Sequence, residues 1–254
     1  MDINITRNVM HVCILIAFVC LISVKCNALR EDKFVSNTTD YCLCKSSCEE
    51  YAFSADEYVN YTTILSEELK TNGLLRSGWE KARTYKKSHP SLSENEVLAV
   101  VTYTLDYPKV YSYFNFLTRT RGIKDEVYPF KAMHFFLSSA VHKLAISYPQ
   151  STFRCETSRQ TFAVGNSFSF KQFASTTTDF FSALQFGDFC LHLMTLRGAP
   201  ISSLSVFPAE KEVLIPSCET FEVVPVEEDT PFYARLRSTG GIGGMGSGPN
   251  NGLG

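Results

Sequence analysis

The stretch Phe207-Pro208-Ala209-Glu210-Lys211-Glu212-Val213-Leu214-Ile215-Pro216 sets two carboxylates at the entrance of an apolar run that ends at a proline. Val213, Leu214 and Ile215 are β-prone, so the run reads as a short strand. Side chains two apart on a strand share a face. If the strand already includes Glu210, then Glu210 and Glu212 face together and Lys211 points away. Such a pair can orient a hydroxyl, stabilise a cationic transition state and steer a positively charged nucleophile. A bare Glu-x-Glu also suits a charged turn in front of an ordinary strand, so other segments must decide between the two readings.

Working outward, Ser151-Thr152-Phe153-Arg154 reads as a strand ending in a cation. Thr161–Val164, Phe168–Phe170, Phe189–Met194 and Phe221–Val224 are further short β-prone runs. The earlier half of the chain, from about residue 53 to 146, reads as helix. Ser91-Leu92-Ser93-Glu94 forms a capping box before Val97–Val101. Tyr111, Phe114, Phe116 and Leu117 mark one buried helical face. Phe130, Met133, His134, Leu137, Val141 and Leu144 mark another, with His134 as a core histidine on it. Helices first and strands second give an α+β class. No Gly-x-Gly-x-x-Gly loop follows a strand, so a doubly wound dinucleotide fold is not expected.

The 254 residues suffice for one sizeable domain with processing segments. The net charge of -2 leaves no basic excess for a nucleic-acid partner. Residues 1–28 read as a secretory signal: Arg7, then the apolar Val9–Val24, then cleavage after Ala28. An uncleaved N-terminal membrane anchor is the competing reading; after cleavage no stable membrane span is expected. Residues 29–52 form a Cys-containing segment, 53–237 the main domain, and 238–254 a flexible Gly-rich tail without the hydrophobic end of a lipid-anchor signal. Removing Cys13, Cys20 and Cys26 with the signal leaves Cys42, Cys44, Cys48, Cys155, Cys190 and Cys218, an even set that suits an oxidising compartment. Cys42, Cys44 and Cys48 lack zinc-knuckle spacing and a nearby histidine, so no metal is expected. Asn37 and Asn60 open glycosylation sequons.

Arg154, Ser175 and the Glu210/Glu212 pair, in that order, resemble the Arg-Ser-Glu class of arginine-specific ecto-mono-ADP-ribosyltransferases, which is related to several bacterial toxins. The likeness takes in Trp79-Glu80-Lys81-Ala82, Val101–Thr104, Tyr111–Asn115, Tyr128–Leu137 and Glu219–Val223, and covers roughly residues 50 to 225. It implies a helical half packed on a split, mostly antiparallel β-core. It also implies transfer of ADP-ribose from NAD, the co-substrate, to arginine-containing acceptor proteins, with loss of nicotinamide and no metal. Glu212 would stabilise the cationic ribose, Glu210 would orient the acceptor, and Arg154 would bind the pyrophosphate. Ser175 would hydrogen-bond the ribose or fix Glu212, and Phe186 and Gln172 would join the NAD contacts.

Two departures stand out. The family has glycine after the arginine, where this chain has Cys155. The family's bridge between neighbouring strands would here be Cys155–Cys190, leaving Cys218 for one of Cys42, Cys44 and Cys48. The alternatives are an NAD glycohydrolase and a catalytically dead binding module. The chain is expected to be secreted, or held by its N-terminus.

Overall fold

The computed structural model describes residues 54–242. Five helices come first: α1 (Ala55–Thr71), α2 (Gly73–Arg83), α3 (Glu94–Thr104), α4 (Val110–Thr120) and α5 (Lys131–Leu144). Helix α1 opens on a capping box of Ser54 and Glu57. The box that opens α3 is Ser93 with Glu96, two residues beyond the expected Ser91–Glu94 box. Ser91 is used up in a turn closed by the Leu92 N–H to the His89 carbonyl, and Glu94 pairs instead with Arg83 at 2.7 Å.

Helix α5 is buried along one continuous run from Ala132 to Val141, as befits a central helix covered on all sides. His134 is fully buried there, with Nδ1 3.2 Å from the Ser138 hydroxyl, so the core reading of this histidine holds. Phe130, which precedes the helix, offers no side-chain cap. The buried Glu68 of α1 does that work, accepting from the Lys131 N–H at 2.6 Å and from the Ala132 N–H at 3.2 Å. A second buried carboxylate, Glu96, accepts from Tyr58 and Ser139, both at 2.6 Å, and pairs with Lys143 at 2.8 Å, tying α1, α3 and α5 together. On α4, Phe114 and Leu117 are buried, but Phe116 is 48% exposed and leaves the face expected of it.

The strands are β1 (Gln150–Glu156), β2 (Ser167–Phe168), β3 (Ala174–Thr177), β4 (Phe189–Thr195), β5 (Ala199–Pro200), β6 (Glu212–Ile215), β7 (Glu219–Val224) and β8 (Ala234–Ile242). A single helical turn, α6 (Phe180–Ala183), interrupts them. The sheet order is β2-β7-β8-β4-β1-β3-β6-β5, antiparallel except for β4 with β8. Strands β1 and β3 share only the pair Phe153–Thr177, so the two parts of the sheet meet at a narrow junction, the expected split.

Two strand expectations and one about the tail are corrected. Thr161–Val164 is a loop, because Phe162 packs by its ring on Phe168 and Phe189 rather than by a ladder. Of the run Phe168–Phe170 only Phe168 pairs, together with the preceding Ser167. Residues 238–242, expected to open the flexible tail, continue β8, which is held between β4 and β7.

Cys155 and Cys190 stand opposite each other on β1 and β4 and are bridged, as expected. Cys218 is disulfide-bonded. The expectations for residues 1–52, including Cys42, Cys44, Cys48 and Asn37, and for 243–254 lie outside the described residues. Asn60 is exposed on α1. No helix among the described residues is long and apolar enough to cross a membrane.

Candidate active site

A cleft of about 1080 Å³ opens between α3, α4 and the junction of the split sheet. It brings together the six residues that the resemblance assigns to NAD and the acceptor: Arg154, Gln172, Ser175, Phe186, Glu210 and Glu212 all line it.

The carboxylate pair is built differently from the strand alternation expected of it. Pro208–Glu210 is a short 3₁₀ turn, and the strand starts only at Glu212. Lys211 between them is left-handed, with φ 49°. This turn, and not a shared strand face, puts both carboxylates in the cleft. Lys211 leaves it by pairing with Asp179 at 3.3 Å.

Glu212 is 6% exposed. Burial pushes its carboxyl up to about 7; Ser175, Ser205 and Arg154 pull it down, and the nearby charge of Glu210 adds to the rise. Glu210 is half-buried, and its pKa is also raised by burial.

Arg154 sits near the end of β1. Its Nη1 donates to the Ser175 carbonyl at 2.7 Å and its Nε to Glu156 at 3.1 Å. The first of these bonds crosses the junction where the β1–β3 ladder has thinned to one pair. Ser175 therefore meets Arg154 through its carbonyl, and it is among the groups that hold the Glu212 carboxyl down. The guanidinium also lies 5.9 Å from the Phe170 ring centroid.

Phe186 is 55% exposed on the cleft rim and is not a core residue. Gly187 after it is required by close approach: a Cβ there would come within 2.1 Å of the Glu156 backbone. Gln172 accepts a hydrogen bond from Arg119 on α4. Cys155 turns its side chain into the bridge to Cys190, packed with Ala183, Phe153 and Phe180.

Sequence reasoning missed Tyr103, Asn115, Arg119 and Glu156, which also line the cleft. Tyr103 and Asn115 lie within apolar helical runs, and the visible signal was a polar group on a buried face. The Tyr103 hydroxyl accepts from Asn115 Nδ2 at 3.0 Å and donates to the Phe173 carbonyl at 3.2 Å. Burial pushes its pKa up to about 12. Among the described residues, no group of three or more His, Cys, Asp or Glu is arranged to hold a metal ion.

The family model described as "NAD:arginine ADP-ribosyltransferase" matches residues 49–240. Ecto-ADP-ribosyltransferase 5 of Rattus norvegicus is 34% identical over 190 residues, which are 65% of this chain and 60% of the relative. The erythroblast NAD(P)(+)--arginine ADP-ribosyltransferase of Gallus gallus is 34% identical over 191 residues, 66% of this chain and 63% of its own. The matched part thus spans about three-fifths of these relatives. The crystal structure of the eukaryotic mono-ADP-ribosyltransferase ART2.2 superposes with a TM-score of 0.62 at 23% identity, over 72% of this chain and 84% of that one. That likeness supports the fold. With the family model spanning most of the described residues, the chain belongs to the NAD:arginine ADP-ribosyltransferase family.

Proposed function

We propose that this chain transfers ADP-ribose from NAD to arginine side chains of proteins and releases nicotinamide. The observation that carries this reading is the convergence of the cationic Arg154 and the buried Glu212, with Glu210 beside it, on one cleft at the split of the sheet. A dinucleotide needs a cation for its pyrophosphate and a carboxylate beneath the reacting ribose, and the cleft offers both.

In this reading the Arg154 guanidinium holds the pyrophosphate, since its planar fork matches phosphate oxygens. Phe186 stacks on the nicotinamide, and Gln172, which lines the same cleft, joins the NAD contacts. The bond between ribose C1′ and the nicotinamide nitrogen breaks, and nicotinamide leaves with the electron pair. The positive charge then left on ribose meets Glu212, whose stabilisation acts on charge absent from the ground state. Glu210 orients the acceptor guanidinium, whose nitrogen forms the new bond to C1′, and takes the proton that this nitrogen loses.

The expected signal segment, the Cys155–Cys190 disulfide and the relatives' names as ecto- or GPI-linked enzymes support work outside the cell. Protein acceptors, and no nucleic acid, are its partners here.

The test incubates the secreted protein with labelled NAD and an arginine-rich acceptor. Nicotinamide release together with acceptor labelling supports the transferase. Release without labelling would make it a glycohydrolase, and neither would make it a binding module.

A further inference from the structure

Arg154 and Glu156 lie two apart on β1, so their side chains share one face of the strand. Cys155 between them is committed to its bridge with Cys190. Glu156 Oε1 accepts from Arg154 Nε at 3.1 Å, and the side-chain exposures are only 18% and 25%. Arg154 Nη1 donates to the Ser175 carbonyl on β3 at 2.7 Å. The Phe170 ring centroid stands 5.9 Å from the guanidinium carbon. The group is thus held from three sides. Its Nη2 has no hydrogen-bond partner among the described residues, and Arg154 lines the cleft. The Glu156 backbone is pinned as well, since it pairs with Phe189 on β4 and lies tight against Gly187.

We propose that Glu156 is a positioning residue that fixes the Arg154 guanidinium with its Nη end open to the pyrophosphate of NAD. An arginine side chain is rich in rotamers, and ordering it on ligand binding costs affinity. A carboxylate on Nε removes that freedom before NAD arrives. A charge-assisted bond at Nε, joined to the carbonyl bond at Nη1, also sets the plane of the group. The same carboxylate is unfavourable in one respect: its negative charge stands beside the place of a doubly charged pyrophosphate. Positioning and charge therefore act in opposite directions, and substitution can separate them. Glu156 touches no reacting atom in this scheme; it acts through Arg154.

The inference rests on the reading of Arg154 as the pyrophosphate ligand, and calorimetric titration with ADP-ribose tests both without turnover. Arg154→Ala should weaken ADP-ribose binding on the order of 10²-fold, the worth of hydrogen bonds to a charged group. Glu156→Ala should weaken it about five- to tenfold, the cost of immobilising one free arginine. Glu156→Gln keeps the reach and the acceptor oxygen but loses the charge, and should bind within about twofold of wild type or more tightly. Glu156→Asp keeps the charge but withdraws the carboxyl by one methylene, and should bind about as weakly as Glu156→Ala. On an Arg154→Ala background, Glu156→Ala should cause no further loss. In turnover, Glu156→Ala should raise KM for NAD in the same proportion and leave kcat within about twofold.

Wild-type binding in Glu156→Ala overturns the proposal, whatever its melting temperature. If that variant does not fold, the comparison of Asp with Gln decides alone: Gln must bind more tightly than Asp, and any other order overturns the proposal. A further loss on the Arg154→Ala background overturns it too, since Glu156 would then act by another route. Unchanged binding in Arg154→Ala would remove the pyrophosphate reading, and the inference with it.

Discussion

Lys211 Nζ stands 3.3 Å from Asp179 Oδ2, so the residue between the two carboxylates is tethered to the cap of α6. The Lys211 backbone is tied to the same place, its carbonyl accepting from the Thr178 N–H at 3.4 Å. The exposed ion pair contributes little by itself. The left-handed backbone matters more, since it lets Glu210 and Glu212 reach one cleft. Lys211→Gly should keep nicotinamide release within about twofold of wild type, because glycine adopts that conformation freely. Lys211→Val should lower it by at least about tenfold, because a β-branched side chain resists positive φ. Equal rates in the two variants would show that the turn does not set the carboxylates.

Glu212→Gln should lower the rate of nicotinamide release on the order of 10²–10³, the effect of losing one preorganised electrostatic group. Its melting temperature at pH 8 should not fall, since the substitution removes a charge that burial disfavours. The wild-type rate should have an acid limb centred near pH 7, because Glu212 titrates at about 7 and must be ionised to act. Glu210→Gln should move that limb to lower pH, because it removes the neighbouring charge that opposes ionisation. A limb near the ordinary carboxylate pKa would assign the titration to another group.

Glu68 gives a prediction about stability. Burial pushes its carboxyl up to about 7, against the Lys131 and Ala132 N–H groups that pull it down. Between its ordinary value of 4.5 and about 7, the folded chain keeps a proton that the unfolded chain releases. Stability from this group therefore falls as pH rises through that window. Glu68→Gln should flatten the decline of melting temperature there. Glu68→Ala should uncap α5 and destabilise the fold by about 0.5–2 kcal/mol in denaturant titrations. An unchanged stability in Glu68→Ala would mean that water serves the helix end equally well.

Much of this was legible in the residues. The periodic apolar positions of α5 and the Arg154, Ser175, Glu212 order depend on local pattern, and the fold keeps them. What could not be read depends on contacts distant in sequence. Lys211 carries no signature of a left-handed turn, so the alternation rule put Glu210 on a strand it never joins. Strand β8 offers Ala234 and Leu236 as its buried apolar residues, then a Ser-Thr-Gly run, and becomes a strand because β4 and β7 pair with it on both sides. Tyr103 and Asn115 sit among apolar neighbours, and only the packing of α3 on α4 brings their polar groups together. Phe116 follows the period of its helix poorly, and it is exposed because it lines the cleft.

Glu210 and Glu212 should be separable by which half of the reaction each one serves. Glu210→Gln should retain nicotinamide release above pH 7, yet lose transfer to arginine. Glu212 is the buried member and meets charge that develops on ribose, so its loss stops bond breaking for every acceptor. Glu210 is the half-buried member at the exposed end of the turn, where an incoming guanidinium can reach it. That guanidinium is cationic before reaction, so the Glu210 charge acts by positioning it, and positioning supplies a large part of the barrier reduction in a two-substrate step. Water needs no such guide, and the variant should behave as a glycohydrolase. Release and acceptor labelling measured in one reaction decide the matter. Normal labelling of arginine by Glu210→Gln would mean that another group in the cleft receives the acceptor, or that the acceptor is not arginine.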